Sequence, residues 1–179
     1  MMGFCGVMWS QSGELPCDFS GDMQEHNLGT GKNMPTGSYF NTIDAKGRVI
    51  IPTKLRYSLG ERIWLVRGID PCLYIFTQKD WEEYTKRYID NLSMTDERAR
   101  KLQRFTLGGS HELDIDRQGR INLPQSLIDY AGIEKDVVFI GCPNRIEVWS
   151  SAAYEEDMSP DNLDPNELMK GAAGAAGED

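Results

Sequence analysis

The chain contains, at residues 41–60, the stretch Asn41-Thr-Ile-Asp-Ala-Lys-Gly-Arg-Val-Ile-Ile-Pro-Thr-Lys-Leu-Arg-Tyr-Ser-Leu-Gly60. It recurs at residues 113–132 as Leu113-Asp-Ile-Asp-Arg-Gln-Gly-Arg-Ile-Asn-Leu-Pro-Gln-Ser-Leu-Ile-Asp-Tyr-Ala-Gly132. Six positions, occupied in order by Asp, Gly, Arg, Pro, Leu and Gly, recur at one constant spacing, as in Asp44 and Asp116, which lie 72 positions apart. Repetition at a fixed period marks a duplicated structural unit. The sequence therefore predicts two copies of one unit.

The first copy predicts short strands around a tight turn. Residues 41–44 and 48–51 are β-like runs, and Gly47 supplies the backbone freedom that the turn between them needs. Two more strands are predicted at residues 63–66 and 73–76, where apolar residues form short runs. The second copy repeats this order and helices accompany it, so an α+β fold is predicted.

A short helix is predicted after the second strand of each copy. Pro52 can begin it, since the first helical turn does not need the N–H group that proline lacks. Leu55 and Leu59 then lie on one face, and Gly60 is suited to end the helix. Pro124 begins the equivalent helix in the second copy.

Two longer helices are predicted between the copies. Thr77 can cap the first and Thr95 the second, while Ser150 can cap a shorter helix over residues 152–156. Apolar residues recur in the longer helices at a spacing that is typical of core packing. They are Trp81, Tyr84, Tyr88, Ala99, Leu102 and Phe105. A basic face of the second helix is either solvated or in contact with a neighbouring subunit; its members are Arg98, Arg100, Lys101 and Arg104.

The charge of the chain is unevenly distributed. Its 179 residues carry a formal net charge of −9, which by itself argues against a partner as negative as nucleic acid. The first 33 residues contribute −3 and residues 151–179 contribute −7, which leaves residues 34–150 at +1. The acidity therefore belongs to the ends, and the middle of the chain keeps a high density of arginine.

Cysteine and histidine are too sparse to predict a metal or cofactor site. The two histidines, His26 and His111, are isolated, and the four cysteines lack CxxC spacing. We therefore expect no cofactor, and we expect the thiols to be buried or incidental. The sequence has no signal-peptide pattern and no apolar run long enough to span a membrane, which favours a cytoplasmic protein without a membrane partner.

The paired motifs resemble those of a known family. Asp44-Ala-Lys-Gly-Arg48 and Asp116-Arg-Gln-Gly-Arg120 are similar to the motifs of the MraZ family of bacterial transcription regulators. The same holds for Gly68-Ile-Asp-Pro-Cys-Leu-Tyr-Ile-Phe76, for Trp81 and for Asn144-Arg-Ile-Glu-Val-Trp149. The resemblance extends over both copies and the helices between them.

The resemblance implies a fold and a function. The fold would be a tandem pair of AbrB-like swapped-hairpin half-domains, forming a double-psi type β-barrel with a pseudo-twofold axis. The function would be carried by ring-like homo-oligomers that bind repeated boxes of double-stranded DNA upstream of the division and cell-wall gene cluster, including the protein's own promoter. Such regulators are usually repressors and would be nucleoid-associated. The rRNA methyltransferase encoded beside them is an implied second partner.

Composition and resemblance together predict five segments. They are an N-terminal extension (1–36), a first AbrB-like repeat (37–83), a helical connector (84–111), a second AbrB-like repeat (112–155) and an acidic tail (156–179). Both terminal segments are predicted to be disordered, because acidic, small and proline residues bury too little apolar area to offset chain entropy. Family members begin near the position of Met34, so residues 1–33 are predicted to reflect an upstream start-site assignment.

The basic residues of the motifs are the predicted DNA contacts. An arginine offers a planar, permanently charged fork to a phosphate or a guanine edge, and an aspartate can fix the turn by accepting its N–H groups or by pairing with the arginine. The predicted DNA-binding residues are Lys46, Arg48, Lys54, Arg56, Arg117 and Arg120. The predicted structural residues are Asp44, Gly47, Pro52, Asp116, Gly119 and Pro124.

Other interpretations of the motifs are open. The Asp–Arg pairs could serve only to hold the fold. Two equivalent aspartates are also reminiscent of the shared-proton dyad of aspartic proteases. Those enzymes use Asp-Thr/Ser-Gly, however, and an arginine four residues away favours a charged carboxylate, so no enzyme activity is expected. The remaining alternative is a protein-interaction module of the AbrB class, either antitoxin-like or methyltransferase-binding, without specific DNA binding.

Overall fold

The computed structural model describes residues 36–160, 162, 164–165 and 168–170. The predictions made for residues 1–35 and 171–179 lie outside the described residues. The elements in chain order are β1 (Gly37–Thr42), β2 (Arg48–Ile50), α1 (Thr53–Arg56), β3 (Arg62–Arg67), β4 (Cys72–Phe76), α2 (Gln78–Tyr88), α3 (Glu97–Leu107), β5 (His111–Asp114), β6 (Arg120–Asn122), α4 (Gln125–Tyr130), β7 (Asp136–Cys142), β8 (Arg145–Ser150) and α5 (Ser151–Asp157).

The strands of the described residues form two antiparallel sheets. A six-stranded sheet has the order β1-β7-β8-β4-β3-β5, and β2 pairs with β6 in a two-stranded sheet. Antiparallel sheets combined with helices confirm the predicted α+β class.

The two copies exchange strands. The first strand of each copy pairs with the third strand of the other, β1 with β7 and β5 with β3. The second strands pair with each other and place Val49 opposite Ile121, which are equivalent positions in the two copies. The fourth strands likewise place Tyr74 opposite its equivalent, Glu147. A two-fold relation between the copies brings equivalent positions face to face in this way.

Both copies contribute to one apolar core. Equivalent positions of the repeated stretch are buried in it, and they are Val49, Ile51 and Leu55 in the first copy and Ile121, Leu123 and Leu127 in the second. Burial of a leucine or isoleucine side chain contributes about 1.5–3 kcal/mol. Because side chains of both copies pack in this one core, each copy covers the apolar face of the other.

A second apolar cluster lies against the other face of the large sheet. Successive side chains of a strand point to opposite faces of the sheet. On β4, Leu73 therefore lies in the shared core, whereas Phe76 packs with aromatic residues on the opposite face, among them Trp81 of α2. There Trp81 stacks on Trp64 with ring centroids 5.5 Å apart. The free thiol of Cys72 is buried in this cluster, which confirms the expectation for that cysteine, and burial raises its pKa.

Two of the predicted helix caps are confirmed and one is wrong. The amide of Asp80 donates to Thr77 Oγ1 (3.2 Å), and Ser150 caps α5 in the same way. The cap of α3 is Asp96 and not Thr95, because the Asp96 carboxylate accepts hydrogen bonds from the amides of Arg98 and Ala99. A carboxylate at this end also interacts favourably with the helix dipole.

Two other predicted boundaries are also wrong. The helix after Pro52 ends at Arg56, and a turn through residues 57–59 brings Leu59 into the core instead. The first strand runs over Gly37–Thr42 rather than 41–44, because its pairing with β7 ends at Thr42 and the next residues enter the turn.

Candidate nucleic-acid interface

Each Asp–Arg motif folds as a compact turn, and we call residues 44–48 turn 1 and residues 116–120 turn 2. In turn 1, Asp44 Oδ1 accepts hydrogen bonds from the amides of Lys46 (2.8 Å) and Arg48 (3.0 Å). Asp44 Oδ2 accepts from Arg48 Nε (2.8 Å) and lies 2.6 Å from Arg48 Nη2. Gly47 has φ +76°, which favours glycine at this position. The carboxylate therefore holds both the loop and its arginine.

Turn 2 repeats this geometry. Asp116 Oδ1 accepts from the amides of Gln118 (2.8 Å) and Arg120 (2.9 Å), and Oδ2 accepts from Arg120 Nε (2.7 Å). The backbone and side-chain hydrogen bonds of Arg120 lower the pKa of Asp116. In both turns, hydrogen bonds tie the carboxylate to the backbone and to the arginine of its own turn.

The arginines of both turns are oriented but not enclosed. The side chain of Arg48 is 37% exposed and that of Arg120 is 30% exposed. A guanidinium held along one edge by a carboxylate loses little further freedom when it binds a second acceptor. Each turn therefore presents an ordered cation at the surface. The arginines are also paired with the aspartates, as expected if the pairs serve to hold the fold, but this pairing does not bury them.

The two turns lie next to each other. The amide of Ile51, after turn 1, donates to the carbonyl of Gly119 (2.9 Å), and the amide of Leu123 donates to the carbonyl of Gly47 (2.8 Å). Asp116 is close enough to help raise the pKa of Arg48, after the larger effect of Asp44. The pairing of β2 with β6 therefore joins two motifs that are far apart in sequence into one surface.

The other predicted contacts occupy different places. Lys46 and Arg117 lie in the turns and are exposed, and Lys54 is exposed on α1. Arg56 is half-buried, because its Nη1 donates to the carbonyl of Gln118 (3.2 Å) in turn 2. The structure thus brings Arg56 to the predicted interface as a support of turn 2.

The glycine of each turn is covered by a residue of the other copy. A Cβ added to Gly119 would overlap Arg56 Nη1, and one added to Gly47 would lie 3.4 Å from Ile128 Cδ1. Arg56 and Ile128 occupy equivalent positions in the two copies. The glycine of turn 2 is therefore covered by a charged side chain, and the glycine of turn 1 by an apolar one. Pro52 and Pro124 precede the helices that carry these two residues.

We expect Gly119→Ala to destabilise the protein by roughly 2–3 kcal/mol, because alanine strains a backbone with φ +78° and pushes the end of the Arg56 side chain away from its hydrogen bond to the Gln118 carbonyl. Gly60→Ala is the matched control. Its φ is +80° and a Cβ meets nothing within 4 Å, so only the conformational cost of about 1 kcal/mol remains. Urea unfolding measures both. Equal losses would show that the contact of Arg56 with turn 2 does not contribute to stability.

The stability of the fold is expected to depend on Asp44 in acid. The side-chain hydrogen bond from Arg48 is the largest cause that lowers the pKa of Asp44 from 3.8 to about 2. The ionised carboxylate therefore stabilises the fold above about pH 4, and this stabilisation is lost as the pH falls through 2. The urea midpoint of Asp44→Asn should lie below that of the wild type at pH 5 and approach it near pH 2.

Asp90→Asn, which changes an exposed aspartate outside the turns, serves as the control. A constant difference between Asp44→Asn and the wild type across this range would contradict the assignment.

Sequence reasoning missed a polar cluster on β8 and β4, the two central strands of the large sheet. Arg145 donates through Nε (2.9 Å) and Nη2 (2.6 Å) to Glu147 Oε1, and Trp149 Nε1 donates to Glu147 Oε2 (3.1 Å). The guanidinium also lies 4.8 Å from the ring centroid of Tyr74. The alternation of Arg145, Glu147 and Trp149 along one strand is the signal that places them on one face.

The predicted core role of the connector helices is only partly correct. Trp81 is buried, but Tyr88 and Leu102 are exposed. Their spacing matches an amphipathic helix, but these two side chains are not covered by the rest of the described chain. Tyr88 and Leu102 therefore form an exposed apolar surface. The spacing of apolar residues in the sequence does not distinguish such a surface from one that is buried in the core.

The described residues contain no group of three or more His, Cys, Asp or Glu side chains arranged to hold a metal ion. None of the helices in this part of the chain is long and apolar enough to cross a membrane.

Comparison with known proteins places the duplication in a family. The family model described as "MraZ protein, putative antitoxin-like" matches residues 34–105 and again residues 106–170. A transcriptional regulator MraZ from Thermoanaerobacter sp. (strain X514) is 46% identical over 123 residues, which are 69% of this chain and 85% of the relative. One from Acetivibrio thermocellus is 40% identical over 134 residues, 75% of this chain and 93% of the relative. With both repeats matched and relatives this similar, the chain belongs to the MraZ family.

Proposed function

We propose that this protein is a sequence-specific DNA-binding transcriptional regulator that acts as a repressor. Its sites would be repeated boxes upstream of the division and cell-wall gene cluster, including its own promoter. The observation that carries the proposal is the pair of adjacent turns, each of which presents an arginine oriented by an aspartate. The names of the relatives as transcriptional regulators support it independently.

The two turns suggest a division of roles in DNA binding. The exposed side chains of Lys46, Lys54 and Arg117 suit phosphate contacts, which position a protein on the duplex without reading its sequence. The oriented guanidinium groups of Arg48 and Arg120 suit bidentate contacts to guanine in the major groove. Arg56 would act indirectly by holding turn 2 in place.

Affinity requires more than one copy of the chain. A handful of neutralised phosphates leaves binding in the non-specific range, roughly 10⁻⁴–10⁻⁶ M. Copies linked in a ring and bound to adjacent boxes would gain about 10²–10⁴ in avidity, provided that their spacing matches the boxes. A ring-like homo-oligomer is therefore part of the proposal, and a nucleoid-associated location in the cytoplasm follows from it.

We also propose that the two copies form a swapped-hairpin β-barrel of the double-psi type. The exchange of β1 and β5 between the copies suits an AbrB-like swapped-hairpin barrel. The proposed segments are the two AbrB-like repeats at 37–83 and 112–155, with the helical connector at 84–111 between them.

A protein-interaction function is the second candidate, and the antitoxin-like description of the family model favours it. In that case the chain would bind a protein, such as the neighbouring rRNA methyltransferase, without specific DNA binding. The two functions can be separated in one experiment.

An electrophoretic shift assay with a repeated-box promoter fragment tests the proposal. A fragment of the same length and composition with scrambled boxes is the control, and the methyltransferase is added as a competing partner. We expect a shift of the box fragment at protein concentrations that leave the scrambled fragment free. Equal shifts of both fragments, together with binding to the methyltransferase, would favour the second candidate.

A further inference from the structure

The connector helices border an exposed apolar groove, which we call the connector groove. It has a volume of about 360 Å³, and its main lining residues are Ile69, Tyr74, Phe76, Tyr84, Tyr88 and Leu102. Ile69 is 75% exposed and Tyr88 is 50% exposed. An apolar surface of this kind, placed beside charged residues, is typical of a contact site for another protein segment.

The surroundings of the connector groove are basic. Residues 86–104 carry six basic and three acidic side chains, a net charge of +3. On α3, Arg98 and Arg104 are exposed, and Leu102 between them also borders a second hollow of about 390 Å³. Arg145 also lines the groove, but its charge is paired with Glu147 (2.6 Å), so the basic side chains that remain for a partner are those of α3. The groove therefore suits a segment that combines apolar side chains with negative charge.

The chain itself contains a segment of this chemistry. Residues 155–170, the acidic segment, carry six acidic side chains and one lysine, a net charge of −5. Within it, Leu168 is 55% exposed and Met169 is 73% exposed, so their own chain leaves them largely uncovered. The segment and the connector groove are thus complementary in charge, and both present unpaired apolar side chains.

We propose that the connector groove binds the acidic segment of a second copy of this chain. Leu168 and Met169 enter the apolar groove, and the carboxylates of the segment face the basic side chains of α3. The contact joins two different surfaces, so each copy offers a groove to one neighbour and a segment to the other. Such head-to-tail contacts close into a ring when the rotation between copies permits it. This inference rests on the homo-oligomer in the proposed function and assigns its contact surfaces.

Two double variants test the contact. Ile69→Asp with Leu102→Asp places negative charge in the groove, and Leu168→Ser with Met169→Ser removes the apolar side chains of the segment. All four residues are exposed, so the variants should fold, and thermal unfolding followed by circular dichroism checks this. Tyr57→Asp is the matched control, since Tyr57 is an exposed aromatic residue away from the groove.

Light scattering after size-exclusion chromatography gives the mass of each variant. We expect the wild type and Tyr57→Asp to form the same multi-chain assembly, and each double variant to run as a single chain. An equimolar mixture of the two double variants should form a dimer, because one intact groove then meets one intact segment. This dimer is the specific signature of a contact between copies.

Three results would overturn the inference. Double variants that keep the mass of the wild type would show that the groove does not hold the assembly together. A mixture that remains single chains would indicate that the segment binds its own chain. A groove variant that keeps its assembly but loses the methyltransferase would assign the groove to that partner. DNA binding is measured separately on a single box, so a failure of this contact is distinguishable from a failure of the proposed function.

Discussion

Replacement of both Arg48 and Arg120 by alanine is expected to weaken binding to repeated promoter boxes by roughly 100-fold or more. A bidentate arginine contact to a base contributes about 1–3 kcal/mol of discrimination, and each chain would lose two of them. The loss also uncovers Asp44 and Asp116, whose carboxylates then repel the phosphates. In an assembly the effect multiplies with the number of bound copies.

Two comparisons separate base contacts from bulk charge. Lysine at both positions keeps the charge but loses the planar fork, so binding to random DNA should survive better than binding to the boxes. Arg62→Ala is the matched control, because Arg62 is an exposed arginine that is paired with Glu112 (3.0 Å) and lies outside the turns. Fluorescence anisotropy with box and scrambled fragments measures all variants. Unchanged box affinity in the double alanine variant, with the assembly intact, would contradict DNA reading by the turns.

Leu55→Ala and Leu127→Ala are each expected to destabilise the whole chain by about 2–5 kcal/mol. Both side chains are fully buried at equivalent positions of the shared core, and truncation of a buried leucine leaves a cavity in addition to the lost burial. Because strands are exchanged between the copies, each variant should lower the stability of both copies together. Ile50→Ala, on the exposed side of β2, should change stability by less than about 0.5 kcal/mol.

Urea unfolding followed by tryptophan fluorescence and by circular dichroism checks this prediction. Trp64 and Trp81 report on the first copy, whereas Trp149 belongs to the second. A single transition that shifts with either variant is the expected result. Two transitions, of which each variant moves only its own, would show that the copies fold independently.

The local structure of each copy is largely predictable from its sequence, because turns and helix starts depend on the types of a few neighbouring residues. A glycine in the tight turn between two strands, a proline before a helix and a threonine before a helix each favour one local structure, although the threonine cap predicted at Thr95 is wrong. Gly47, Pro52 and Thr77 accordingly lie where the sequence places them. The aspartates of the turns are equally predictable, since a carboxylate preceding a tight turn can reach the amides that follow.

The relation between the copies depends on contacts that the sequence does not display. Nothing in the repeat states that β1 pairs with β7 rather than with a strand of its own copy. The pairing of β2 with β6 likewise sets Arg56 against turn 2, although the sequence alone suggests a free cation at this position. The exposure of Tyr88 and Leu102 could not be predicted for a similar reason. An amphipathic pattern identifies the apolar face of a helix, but it does not show whether another part of the protein covers that face.

Footprinting on the DNA upstream of the protein's own gene, across a series of salt concentrations, tests the central claim most directly. Reading of repeated boxes by the adjacent turns predicts discrete protected stretches whose spacing corresponds to about one helical turn or its multiples. This protection should persist at salt concentrations that abolish background binding. Continuous protection that disappears evenly as salt is raised would contradict sequence-specific recognition by turn 1 and turn 2.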